Sequence, residues 1–459
     1  MADYSKNKAA LMDKIVSLCK RRGFVFPNSE IYGGLANTWD FGPLGVELKN
    51  NIKKAWWQKI VKEREEVVGV DTAVIMNSQV WKASGHLKGF TELLQECKSC
   101  HTRFRKDYLE EGKYGEIIRK KGKLCCPLCG GELTSEKQFN LMFKTFFGPV
   151  EDQSHVVYLR PETAQGIFVN FKNILNSSRK KIPFGIAQIG KSFRNEITPG
   201  NFIFRLREFE QMELEYFVSP QEDEKWYQYW LQERLQWYLD LGMKKDTIRL
   251  HPHKKEDLAH YAKACTDVEY NFPFALSPKG EGWDELEGIA NRTDYDLKNH
   301  QKYSGQDMSY FDEKTKKNYF PFVIEPSQGV ERTALAFLLD AYDEEETPQG
   351  PRVVLHLHPL LSPIKIAVLP LLKNNKELVS LAQDVYKDLQ PHFAADFDIV
   401  ASVGRRYRRQ DEVGTPWCVT IDHQSLEDQT VTIRDRDTMK QERIKINEVK
   451  SWIDKKLEY

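Results

Sequence analysis

The chain has no net charge and no long apolar run, and each absence narrows its function. Its 67 Lys and Arg are matched by 67 Asp and Glu, so global charge does not argue for a nucleic-acid partner, which would need local basic surface. No stretch approaches the roughly 18 apolar residues that cross a bilayer, which excludes a membrane partner. The N-terminus reads as an amphipathic helix, not a signal peptide, so a cytoplasmic location is expected. The eight cysteines are too scattered for a disulfide framework in so large a chain. The remainder is a globular composition, 41% hydrophobic and 12% aromatic, able to fill large cores in about two to four domains.

Four cysteines are nevertheless clustered. Cys97 and Cys100 form one CxxC pair, and Cys126 and Cys129 a second, within CCPLCGG. Two such knuckles place four thiolates round one tetrahedral Zn2+, and Gly130-Gly131 permits the tight turn. With no open coordination position the metal would be structural; the alternative is four reduced, metal-free thiols. Cys125 adjoins the second pair, but only Cys126 has the CxxC spacing. His356 and His358, two residues apart in an apolar run without a nearby cysteine, read as a packed or surface pair.

Two further runs carry chemistry. From Phe193 to Phe217 the pattern reads as two strands joined by Thr198-Pro199-Gly200-Asn201, a breaker cluster suited to a hairpin. By strand period, Arg194 and Glu196 share one face, as do Arg205, Arg207, Phe209, Gln211 and Glu213. Burying such a face is costly unless something fills it. A nucleotide triphosphate and a small amine would do so: arginines on phosphates, a ring on the base, a carboxylate on an ammonium. The alternative is a solvated face on which Arg and Glu pair. The second run, Ile324 to Leu339, places Gly329 before an apolar helical stretch, with Arg332 in its first turn, where anions are favoured.

Both runs, in this order, resemble motifs 2 and 3 of class II aminoacyl-tRNA synthetases. The Arg194-Asn195-Glu196 core, the RxREF run ending at Phe209, Glu325-Pro326-Ser327, LRPETAQGIF (159–168), WDFGPLG (39–45) and SGHLKGF (84–90) resemble the homodimeric glycyl-tRNA synthetase family. The resemblance covers nearly the whole chain. It implies an α+β class II synthetase catalytic domain built on an antiparallel sheet, with zinc-knuckle and helical insertions, followed by an α/β anticodon-binding domain.

On that reading, residues 1–350 form the catalytic domain. It includes a zinc-binding insertion at 96–136 and an insertion at 219–320 between the two motifs. Residues 351–363 are a breaker-rich linker and 364–459 the anticodon-binding domain. A long helix over 45–66 leading into a strand at 71–76 stands where motif 1 builds the dimer interface, although the proline usual near that strand's end is absent. The run Arg405-Arg406-Tyr407-Arg408-Arg409 reads either as local basic surface for nucleic acid or as a solvated loop.

The resemblance also implies roles. ATP would be held by Arg194, Asn195, Glu196, Phe204, Arg205, Leu206, Arg207, Glu208, Phe209, Glu285, Leu286, Gly329, Val330, Glu331 and Arg332. Within that set, Arg194 would serve the α-phosphate and substrate carboxylate, and Arg205 and Arg332 the distal phosphates. Phe209 would take the adenine ring and Glu196 its amino group. Arg194, Glu196 and Arg332 are the catalytic set. Glycine would meet Arg105, Glu162, Phe209, Gln211, Glu213, Glu325 and Ser327, with three carboxylates on the ammonium and Ser327 filling space near the α-carbon. Near Arg105 the family has alanine and histidine where this chain has Lys106 and Tyr108. Mg2+ would accompany ATP, with Glu285 a candidate ligand, and tRNA(Gly) would be the acceptor. Rival readings are a sister synthetase for threonine, proline or serine, and a non-catalytic synthetase-like nucleic-acid binder.

Overall fold

Alternation along residues 208–218 sets the architecture. Met212, Leu214, Tyr216 and Val218 enter one core and Phe217 another, as the two-residue period of a strand requires. This strand lies inside a seven-stranded sheet. In chain order the strands are β1 (Val67–Gly69), β2 (Phe184–Phe193), β3 (Glu208–Val218), β4 (Ile248–Pro252), β5 (Ala264–Asn271), β6 (Trp283–Thr293) and β7 (Phe322–Gly329). Their spatial order is β4-β5-β6-β7-β3-β2-β1. All pairings are antiparallel except the edge pair of β1 with β2. The computed structural model describes residues 2–112, 114–197, 200–259, 261–274, 282–348 and 350–457, with side chains from residue 10 onward.

Helices packed against this sheet include α1 (Ala2–Arg22), α2 (Pro43–Trp57), α3 (Ala164–Ser178), α4 (Asp223–Asp240) and α5 (Val330–Ala341). Residues of α1, α2, α4 and α5 share the larger core, and α3 packs Phe168 and Phe171 on the other face. Every residue of α5 is buried except Arg332; a helix apolar nearly all round belongs inside. Ion pairs also fasten helices to the sheet. Arg234 on α4 meets Glu287 on β6 at 2.7 Å, both side chains fully buried. Lys49 on α2 pairs with Glu210 at 2.7 Å and also with Glu331.

Two expectations change here. First, β2 ends at Phe193 and β3 begins at Glu208, so residues 194–207 form a long loop, not a tight hairpin. Asn201 and Phe202 adopt positive φ, and Phe202, Ile203 and Phe204 bury themselves in the core, drawing the chain out of the ladder. Arg194, Glu196, Arg205 and Arg207 therefore do not lie on strand faces. Thr198 and Pro199 lie outside the described residues. Second, the motif 1 region is shorter than expected: after α2 a π-helical turn, Gln58–Lys62, leads to β1 at Val67–Gly69, and 71–76 has only an isolated bridge from Ile75 to Leu159. The stretch 219–320 supplies α4 and the sheet strands β4, β5 and β6.

Past the linker, β8 (Ile366–Pro370), α6 (Lys376–Leu389), β9 (Ala395–Phe397), α7 (Val403–Val413), β10 (Trp417–Ile421), β11 (Thr430–Asp435), β12 (Gln441–Lys445) and α8 (Val449–Leu457) follow. They build a mixed five-stranded sheet, order β9-β8-β10-β11-β12, with its own core. This is the expected α/β unit. The arginine-rich run is neither a loop nor a free basic patch, since it lies on α7. Arg406 is buried and donates to the carbonyls of Pro370 and Asp398, Arg408 bonds Thr347 and Gly350, and Arg409 pairs with Asp398; Arg405 is exposed.

The breaker-rich stretch expected as a linker, 351–363, holds regular pairing. Arg352–Leu355 pairs antiparallel with Tyr342–Glu345. His356 bridges Glu345 at 2.9 Å and Asp437 at 2.6 Å. The Lys365 ammonium donates to the carbonyls of Pro359, Leu360 and Ser362 at 2.8 Å each.

Candidate active site

A cavity of about 520 Å³ opens on β3, β6 and β7 beside the first turn of α5. From β3 it receives Phe209, Gln211 and Glu213, which share a face as the strand period dictates; from β7, Glu325 and Ser327; from the 194–207 loop, Arg194, Glu196, Phe204, Arg205 and Leu206. Arg105, Glu162, Glu285, Gly329, Glu331 and Arg332 complete the predicted residues that line it.

One end is cationic and aromatic. The Arg194 guanidinium donates to the Pro161 carbonyl at 3.0 Å and lies 5.4 Å from the Phe209 ring and 5.6 Å from Phe90. Arg332 covers Phe204 at 4.3 Å, donates to the Glu285 carbonyl at 2.9 Å and pairs with its carboxylate at 3.3 Å. Arg205 donates to the Tyr108 hydroxyl and stands 4.0 Å from Glu196. Arg105 pairs with Glu92 and Asp107.

The other end is small and anionic. Ser327 Oγ donates to Glu213 Oε1 at 2.8 Å and accepts from Gln211 Nε2 at 3.3 Å. Thr163 donates to the other Glu213 oxygen. Glu162 meets His86 at 3.3 Å and Gln165 at 3.0 Å. Glu325 accepts from Arg292 at 2.6 Å, and Arg292 is held in turn by Asp296 at 2.8 Å. Burial pushes the Glu325 carboxyl up to about 8 against the pull of Arg292, with Glu213 and Glu162 adding repulsion. Burial and Glu162 likewise raise Glu213. Glu162 is buried too, yet His86 and Arg292 hold it below the usual range. Carboxylates that raise one another mark a place where a bound cation is stabilised.

Five predicted residues stand outside this cavity. Asn195 donates its backbone N–H to Leu141 at 2.7 Å. Arg207 donates to the carbonyls of Glu196 and Ala36, and Glu208 pairs with Lys191 at the surface. Leu286 and Val330 are buried in the core, because their strand and helix positions face away. The residues not foreseen are Arg292, His86, Thr163 and Gln165. His86, Thr163 and Gln165 lie inside runs already singled out, so motif position was the available signal for them, whereas Arg292 lies in the 219–320 stretch; the contacts of all four arise only when distant segments meet.

The four knuckle cysteines converge. Cys97 and Cys129 sulfurs are 3.5 Å apart, Cys100 and Cys126 3.7 Å, and all four lie within 4.8 Å of one another. Zn–S bonds of about 2.3 Å in a tetrahedron set sulfurs about 3.8 Å apart, so the donor set fits zinc. A side chain at Gly131 would begin 3.0 Å from the Cys97 sulfur, hence glycine there. Cys125 faces elsewhere, its sulfur 3.7 Å from the Lys123 carbonyl.

Comparison with known proteins decides the family. Glycine-tRNA ligase of Thermobifida fusca is 56% identical over 98% of this chain and 99% of its own length. That of Geobacillus thermodenitrificans is 55% identical, covering 98% of each. The chain belongs to the glycine-tRNA ligase family. Residues 365–456 match the family described as Anticodon binding domain, in keeping with a ligase that must engage tRNA. Among solved structures, prolyl-tRNA synthetase of Giardia lamblia in complex with prolyl-adenylate aligns with a TM-score of 0.66 at 15% identity, over 99% of this chain and 80% of that one. Prolyl-tRNA synthetase of Cryptosporidium parvum with L-proline and AMP gives 0.62 at 15%, over 96% and 74%. The glycine-tRNA ligase chain thus has the class II synthetase fold.

Proposed function

We propose that this chain activates glycine with ATP and transfers it to the 3′ end of tRNA(Gly). The carrying observation is the small anionic chamber of Glu162, Glu213, Glu325 and Ser327 at the foot of an arginine-lined cavity. Glycine has no side chain to recognise, so selection must come from holding its ammonium and leaving no room for a methyl group. In the first step a glycine carboxylate oxygen bonds the α-phosphorus and pyrophosphate leaves. In the second, a tRNA ribose hydroxyl bonds the carbonyl carbon and AMP leaves, the hydroxyl proton passing to solvent or phosphate. Neither step requires a protein nucleophile; positioning and charge neutralisation carry both.

Arg194 is assigned to the α-phosphate and glycine carboxylate, Phe209 to the adenine ring, and Glu196 to its amino group. Arg205 and Arg332 neutralise the distal phosphates. Mg2+ would enter with the triphosphate, and Glu285, a hard oxygen donor lining the cavity, would help hold it. The four-cysteine site is assigned a structural Zn2+. Residues 1–350 are read as the catalytic domain, 351–363 as the linker and 364–459 as the anticodon-binding domain. A cytoplasmic homodimer follows from the family resemblance, with exposed Ile31, Tyr32 and Leu35 supporting an apolar contact surface.

The test is pyrophosphate exchange with glycine, alanine and serine supplied separately, together with charging of tRNA(Gly). Glycine alone should support exchange. Loss of both activities in folded, zinc-loaded protein with magnesium would overturn the reading.

A further inference from the structure

At the β4–β5 end of the same cavity stand three side chains that the reaction does not use. His253, just past β4, has its Nε2 2.7 Å from Asp267 Oδ2. Cys265 and Asp267 are two residues apart on β5 and therefore share a face. One ligand atom from each of His253, Cys265 and Asp267 lies within 4.8 Å of the other two, and all three line the cavity. Register keeps the space before them open: Cys265 lies opposite Ala290 and Asp267 opposite Gly288 on β6. A side chain at Gly288 would begin 3.8 Å from Asp267 Oδ1 and 3.9 Å from Glu285 Oε1, so two carboxylates border one gap.

We propose that His253, Cys265 and Asp267 form a second, exchangeable binding site for a zinc-class cation, inside the nucleotide cavity. An imidazole nitrogen, a sulfur and a carboxylate oxygen are together a borderline-soft donor set that favours Zn2+ over Mg2+. Three protein ligands leave a fourth tetrahedral position facing the cavity. Bonds of about 2.0–2.3 Å set ligand atoms about 3.3–3.8 Å apart. Small side-chain rotations from the present arrangement reach that geometry, opening the His253–Asp267 hydrogen bond. On binding, the Cys265 S–H bond breaks, the sulfur bonds the metal and the proton leaves to solvent, so affinity should rise with pH. Unlike the Cys97–Cys129 cluster, this site borders the path of substrate. A metal held there would compete with nucleotide, a consequence that rests on the proposed function.

Protein carrying one zinc at the four-cysteine site should be dialysed against graded free Zn2+. Wild type should take up a second equivalent, and Cys265→Ser and His253→Asn should each weaken that uptake at least tenfold while retaining the first. Zinc should also slow alkylation of Cys265 in the unmodified protein, followed by peptide mass. That measurement holds even where a variant does not fold. No second equivalent in wild type, unchanged uptake in both variants, or an unchanged alkylation rate would each overturn the proposal. Inhibition of glycine-dependent exchange by zinc, reversed by a chelator, reads the consequence. Complete absence of exchange would count against the proposed function, and the uptake and alkylation results would still decide the metal site.

Discussion

Replacing Ser327 separates two jobs that one side chain performs. Its hydroxyl donates to Glu213 at 2.8 Å, and on the proposed reading its bulk fills space near the α-carbon of glycine. Ser327→Ala removes only the hydroxyl. A hydrogen bond to a charged group contributes about 1.5–3 kcal/mol; Thr163 still serves Glu213, which places the loss toward the lower figure. Glycine activation should fall roughly tenfold in kcat/KM, with the alanine-to-glycine ratio little changed. Ser327→Gly removes the β-carbon as well and leaves room for one methyl group. A difference of that size in a pocket is worth about 1–3 kcal/mol, or about 10–200-fold in discrimination. The assay is pyrophosphate exchange for both amino acids in wild type and both variants. A ratio that does not rise in Ser327→Gly, or that rises equally in Ser327→Ala, would refute the spatial argument and transfer exclusion to the carboxylates.

Three further outcomes follow from the structure. Cys126→Ser should abolish stoichiometric zinc at the knuckle while Cys125→Ser leaves it bound; the reverse result by elemental analysis would reassign the ligand. Arg234→Leu strands the fully buried Glu287 and should cost about 3–5 kcal/mol, whereas Arg234→Met with Glu287→Leu should recover most of it; urea titration measures both, and a near-neutral single variant would contradict the pairing. Hydrogen bonding to Asp437 raises His356 above its ordinary 6.5, against its partial burial. The stabilisation it contributes is full below about pH 6.5 and is lost as pH rises through the raised value. The melting advantage of wild type over His356→Gln should therefore shrink from pH 6 to pH 9, and a constant difference would remove His356 as the titrating group.

By itself the sequence determined the fold class, the two knuckles, the strand face of Phe209, Gln211 and Glu213, and the place of Arg332 after Gly329. The fold class came through the resemblance of the motifs to a known family; the others depend on local periodicity and spacing, which a linear reading contains. The choice of Cys126 over Cys125 was also legible, since a knuckle's geometry is local. Tertiary structure decided the rest. Arg194 and Arg205 reach the cavity from a loop, because the Phe202-Ile203-Phe204 triplet buries itself and breaks the strands that alternation predicted. Arg207 and Glu208, adjacent to true lining residues, turn to the outer surface. The stretch 219–320 supplies three of the seven strands of the main sheet, a share that its sequence did not show, since antiparallel pairing joins strands far apart in the chain. In the basic run at 405–409, Arg406, Arg408 and Arg409 bond carbonyls, Thr347 and Asp398 that only folding brings near. Arg292 and His86 complete the anionic chamber for the same reason: their partners Glu325 and Glu162 lie on other segments, and periodicity along one strand cannot report a contact between two.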